Sequence, residues 1–199
     1  MGRFRKSRTT TREQYDDKHR FEHWYRDNCI YFITARVRGR APAFADERAK
    51  LVFWEQFRKY TKMFGFVPWI TSLLDNHYHT LGYLTRGENL PKMMQRLHGA
   101  IAKLMNDLLV VKIRSFWTNS GKQNYFDGCI RDELQCRRAY CYVLTQCRRH
   151  GICFEPTDYP HTRVEIDVDR GVKRALELRA FLEDVPYPRY ERPRTRKHR

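Results

Sequence analysis

Residues 66–84 read Phe-Val-Pro-Trp-Ile-Thr-Ser-Leu-Leu-Asp-Asn-His-Tyr-His-Thr-Leu-Gly-Tyr-Leu, and this stretch decides the fold. Two runs rich in β-formers flank Asp75-Asn76, a pair suited to a tight turn, which predicts a hairpin of strands over 66–74 and 77–84. Pro68 offers no N–H to a ladder and interrupts the first strand early. Upstream, Asp46 is placed to cap a helix whose apolar residues Leu51, Val52, Phe53, Phe57, Tyr60 and Phe64 recur at helical spacing, with Gly65 as its stop. Before it, Cys29 to Arg38 is dense in β-branched and aromatic residues and reads as a strand. Downstream, Leu90-Pro91 opens a long amphipathic helix through Met93, Met94, Leu97, Ile101, Leu104, Met105 and Leu108. Phe116-Trp117 and Tyr125-Phe126 read as short extended pieces. Asp132 then caps a helix predicted to run to about His150 and stop at Gly151, and a further helix is expected over roughly 172–182. Strand, helix, hairpin, helix, strand and helix make an α+β chain. The expected architecture is a mainly antiparallel central sheet flanked by helices, compatible with a ferredoxin-like, RRM-like sandwich.

The length of 199 residues suits one domain with extensions. Lys and Arg number 39 against 23 Asp and Glu, giving a net charge of +16, a surplus that points to a polyanionic partner. Charge alone does not separate DNA from RNA or from a membrane surface. The first 20 residues carry seven basic and three acidic side chains and no apolar periodicity. Residues 186–199 repeat that character with three prolines and six basic residues. Both read as basic arms, for phosphate contact or simply solvated. The chain therefore divides into a flexible arm (1–20), a main domain (21–155), a helical extension (156–185) and a basic tail (186–199). No stretch approaches the ~18 consecutive apolar residues of a membrane span, and no apolar run follows the charged N-terminus, so a cytoplasmic protein without membrane association is expected. Six cysteines at 29, 129, 136, 141, 147 and 153 include no Cys-x-x-Cys pair, and four crowd around one helix. Reduced, mostly buried thiols are expected.

Two features carry chemistry. In Asn76-His77-Tyr78-His79, strand alternation puts both histidines on one face about 6.5–7 Å apart, a spacing from which two imidazoles can converge on a cation. Two satisfied polar core groups would give the same pattern. On the helix after Asp132, Tyr142 and Gln146 stand four residues apart and project from one side. Tyr142 lies beside the apolar stripe Cys136, Tyr140, Val143, Leu144 and Cys147, where a boundary tyrosine with its hydroxyl in water is also expected. Tyr140 competes for any chemical role, but its place in the stripe makes it core.

Together these features resemble the single-tyrosine HUH transposases, most closely the REP-associated tyrosine transposases. In that family a strand carries Asn-His-hydrophobic-His, as in Asn76-His77-Tyr78-His79. An aromatic-Asp run and an Ile-Arg-Asp-Glu-like helix start follow, as in Tyr125-Phe126-Asp127-Gly128-Cys129-Ile130-Arg131-Asp132-Glu133. The family's catalytic helix has Tyr, three residues, an amide and shortly a Gly, as in Tyr142 to Gln146 and Gly151. Arg36-Val-Arg-Gly-Arg40 with Pro42 and Phe44 is similar to the family's entry segment. The resemblance covers residues 20 to 155. Close relatives place Asn-Pro where Gln146-Cys147 stands, while more distant members use Gln.

The resemblance implies a DNA transposase that cuts and rejoins single-stranded or hairpin DNA through a 5′-phosphotyrosine on Tyr142. His77, His79 and Gln146 would hold a divalent metal, Mg2+ or Mn2+. Arg36, Arg38, Arg40, Arg131, Arg138 and Arg149 would contact DNA, each alternatively a solvated surface charge. A homodimer and a monomer both fit. The competing readings are a nucleic-acid-binding protein without turnover and a metal-dependent phosphodiesterase.

Overall fold

The predicted hairpin forms. In this computed structural model, which describes residues 25–118 and 124–183, β2 (Phe66–Leu73) and β3 (His77–Leu84) pair antiparallel with Leu73 opposite Tyr78. The Leu74 N–H donates to the His77 carbonyl at 2.9 Å, closing the turn on Asp75-Asn76. The register shifts between Pro68 and Ile70, where the missing proline N–H breaks the ladder. Trp69, the residue the ladder skips, and Ile70 after it both pack in the same apolar layer.

β1 (Cys29–Arg36) pairs with β3, and β4 (Phe126–Cys129) pairs with β1. α1 (Glu47–Phe64) runs between β1 and β2, and α2 (Asn89–Leu108) follows β3. α1 starts and stops where its sequence says: the Asp46 carboxylate accepts from the Arg48 N–H, and Gly65 takes a left-handed φ of 73°. These six elements are a βαββαβ unit with strand order β4-β1-β3-β2, all neighbours antiparallel, so the ferredoxin-like α+β expectation is met.

Past β4 come α3 (Glu133–Leu144), a single helical turn α4 (Gln146–Arg149), β5 (Thr162–Val164) and α5 (Val168–Glu183). β5 was not anticipated. It adds a fifth antiparallel strand beside β2, and its three residues are too few for a periodic signal. The predicted continuous helix from 132 to 150 is broken at Thr145, whose hydroxyl donates back to the Cys141 carbonyl at 2.8 Å, a bond that competes with helix continuation. The basic arm and tail lie outside the described residues.

The sheet separates two apolar layers by alternation. Tyr31, Ile33, Tyr78 and Leu84 face α1 and α2, packing with Phe53, Phe57, Leu97 and Ile101. Leu81, Trp69 and Ile70 lie in the layer of Cys136, Tyr140 and Val143 of α3 and Val172 of α5. α5 approaches closely through Gly171, where an added Cβ would stand 2.8 Å from the Trp69 ring. Arg137 ties the helices together by pairing with Glu133 at 2.8 Å and Asp169 at 2.6 Å.

The expectation of reduced cysteines is corrected at one pair. Cys29 and Cys129, 100 residues apart, form a disulfide that fastens β1 to the edge strand β4. Only the pairing of Tyr31 with Cys129 across the sheet brings the two together, and spacing in the sequence carries no trace of it. Of the free thiols, Cys136 and Cys147 are buried, Cys153 is half-buried and Cys141 is exposed. Among the described residues no helix is long and apolar enough to cross a membrane.

Candidate functional site

β3 delivers the two histidines as its alternation demands. Tyr78 turns into the core, its hydroxyl 2.9 Å from His98 Nε2, while His77 and His79 emerge on the opposite face beneath α3. Their ring centroids are 5.0 Å apart, and both are buried, at 6% and 5% exposure. His77 Nδ1 lies 2.6 Å from Asn76 Oδ1, and Asn76 Nδ2 donates to the Arg40 carbonyl at 3.2 Å, so the turn residue fixes the ring and the neighbouring 3-10 turn at once. Phe32 of β1 lies nearly parallel to His79, at 5.8 Å and 15°.

Burial pushes the His77 imidazolium down to about 4, helped by His150, Arg36 and Arg40 and opposed by a hydrogen bond with Gln146. Burial pushes His79 down to about 3, with His77, His150 and Arg36 adding to it. Both imidazoles are therefore neutral near pH 7, the state in which a ring nitrogen can ligate a metal. His79 Nδ1 is buried without any hydrogen-bond partner, an arrangement that costs free energy unless a ligand occupies it.

α3 brings Tyr142 over this pair. Its ring is 5.2 Å from His79 at 83° and 5.8 Å from Phe32, and the side chain keeps 37% of its surface exposed. The Arg149 guanidinium lies 5.0 Å from the centre of the Tyr142 ring. Tyr140, the competitor, is core: it is 6% exposed, its hydroxyl donates to the Ile166 carbonyl at 3.3 Å, and burial pushes its phenol up to about 12.

Gln146 follows the break at Thr145 and is 1% exposed. Its Nε2 donates to the Tyr142 carbonyl at 2.9 Å, and its side chain also bonds His77, so one amide bridges the tyrosine's backbone and the first histidine. Two neutral imidazoles, one with an orphaned nitrogen, and an adjacent amide fit a divalent cation. Among the described residues no three His, Cys, Asp or Glu side chains are grouped to hold a metal, so an ion at the histidines would draw further ligands from Gln146, water or substrate.

The arginines divide by position. Arg36 stands close enough to depress both histidines and Arg40 to depress His77, and Arg38 is exposed on the same 3-10 turn as Arg40, residues 38–40. Arg149 covers Tyr142, and Arg138 is exposed one helical turn before it. Arg131 precedes the far end of α3, roughly 16 Å along the helix from Tyr142. It lines a separate cleft with Asn28, Glu133 and Val172. His150 was missed in the sequence: its ring is 4.9 Å from His77. The four-residue rhythm 142, 146, 150 was its available signal, obscured because His150 reads equally well as the basic last turn of a helix.

No protein-family model and no curated protein matches this chain. A solved REP-associated tyrosine transposase, bound to a REP hairpin, superposes with a TM-score of 0.63 over 76% of this chain and 86% of its own, at 17% identity. A candidate transposase from Deinococcus radiodurans R1 gives a TM-score of 0.42 at 17% identity, over 64% of this chain and 95% of its own. With its βαββαβ sheet and the helix that follows, the chain has the fold of the REP-associated tyrosine transposase.

Proposed function

We propose that this chain is a single-tyrosine HUH transposase that cuts and rejoins single-stranded DNA, with Tyr142 as nucleophile and His77, His79 and Gln146 as ligands of a divalent cation, Mg2+ or Mn2+. The observation that carries the reading is Tyr142 packed against His79, a neutral imidazole with a buried, unpartnered nitrogen. The solved transposase of the same fold is bound to a REP hairpin, which supports folded single-stranded DNA as the substrate class.

A bound divalent cation would neutralise phosphate charge and act as a Lewis acid at the attacked group. Asn76 and Gln146 hold the His77 ring in a fixed orientation, and Phe32 braces His79. Tyr142 loses its phenolic proton to solvent and attacks phosphorus. The bond from phosphorus to the 3′ oxygen breaks, that oxygen takes up a proton, and the 5′ phosphate stays on the tyrosine. Arg149 lies where it can stabilise the phenolate, and Arg36 and Arg40 add positive charge for the phosphate. Because the phosphotyrosine retains the bond energy of the phosphodiester, a second 3′ hydroxyl can displace it without ATP.

The test is incubation with Mn2+ and a labelled single-stranded hairpin oligonucleotide, followed by denaturing electrophoresis. A protein–DNA adduct that disappears in Tyr142→Phe is expected. An adduct surviving that substitution means the nucleophile lies elsewhere, and cleavage without adduct means a hydrolase.

A further inference from the structure

Arg148 and Arg149 are consecutive, and each guanidinium lies against an aromatic ring. Arg149 is 5.0 Å from the centre of Tyr142, and Arg148 is 5.5 Å from the centre of Phe154. The first pair belongs to the site already described. The second does not: Phe154 is 78% exposed and is part of neither apolar layer. A scattered exposed phenylalanine needs no explanation, but this one is held against the helical turn that follows the nucleophile's helix. Gly151 turns the chain with a φ of 67°, its N–H donating to the Arg148 carbonyl at 3.0 Å, and the Ile152 N–H donates to the Cys147 carbonyl at 2.9 Å. Beyond Phe154, the Tyr159 hydroxyl donates to the Leu73 carbonyl at 2.8 Å, pinning the segment to the sheet. Ile152, 44% exposed, extends the apolar surface.

We propose that Phe154 and Arg148 form a nucleotide subsite on the turn that follows the helix of Tyr142: one unpaired base stacks on the Phe154 ring, and its phosphate pairs with Arg148. The subsite rests on the reading of the chain as a single-strand DNA transferase. A nucleotide presents an aromatic face and an anionic phosphate a short distance apart, which matches an exposed ring beside a guanidinium on a chain of net charge +16. Duplex DNA hides its base faces and gives Phe154 nothing to stack on. The held segment is ordered before binding, which limits the entropy lost on association.

The test places 2-aminopurine in turn at each unpaired position of a hairpin oligonucleotide and titrates the full chain without metal. Quenching is expected at one or two adjacent positions. Phe154→Ala should abolish it and weaken binding about 5- to 20-fold, the lower part of the range for base–aromatic stacking, while Phe154→Trp preserves both. Arg148→Ala should reduce the salt dependence of binding by about one phosphate contact. Equal quenching along the whole strand, or Phe154→Ala binding as wild type while still forming the Tyr142 adduct, overturns the subsite alone. Failure of the wild type to prefer single-stranded over duplex DNA overturns the functional reading and the subsite with it.

Discussion

Lowering the pH from 7.5 to 5.5 should leave Mn2+ affinity almost unchanged, contrary to the usual behaviour of a histidine site. Metal binding needs deprotonated imidazoles, and ordinary ones titrate near 6.5, so each of two such ligands would be about 90% protonated at pH 5.5 and the pair would lose affinity about 100-fold. Here burial holds His77 at about 4 and His79 at about 3. At pH 5.5 about 3% of the first and under 1% of the second is then protonated, a loss of less than about 1.1-fold. The sign follows from the cause. Burial, the neighbouring imidazoles and Arg36 all disfavour the cation and none requires a bound ligand, so the window of proton competition moves down to roughly pH 3–4. Isothermal titration with Mn2+ across this pH range measures the affinity. The imidazole ring-proton shifts of the metal-free protein should stay flat for these two residues above pH 5. A drop in affinity near 100-fold, or ring-proton midpoints near 6.5, would refute the burial argument.

Gln146→Ala should lower Mn2+ affinity by about 10-fold or more while single-strand binding without metal persists, read by the same titration and by fluorescence anisotropy. An unchanged metal affinity would leave the amide only its structural bonds to the Tyr142 carbonyl and to His77. Cys129→Ser, which opens a link across 100 residues, should cost about 3–5 kcal/mol of stability by chemical denaturation, and wild type under strong reductant should fall to the same value. Gly171→Ala should destabilise by about 1–3 kcal/mol, because its Cβ meets the Trp69 ring at 2.8 Å and that ring is buried and cannot swing away.

The βαββαβ core was legible because its signals are local. The Asp46 cap, the Gly65 stop, the Asp75-Asn76 turn and the helical and strand periodicities each act within a few residues. Alternation in β3 likewise determined that His77 and His79 share a face and that Tyr78 is core, and the apolar stripe of α3 determined that Tyr140 is buried. What only the tertiary structure decided depends on contacts between distant segments. The Cys29–Cys129 bond needs β4 docked on β1, and β5 exists only as a partner for the edge of β2. The depressed histidines, the unpartnered His79 nitrogen, the ring of His150 against His77 and the arginine on Phe154 all arise where α3 and the turn after it settle over the sheet. Periodicity can assign a residue to a face. What that face meets, and how dry the contact is, follows from packing between segments that carry no mark of one another in the sequence.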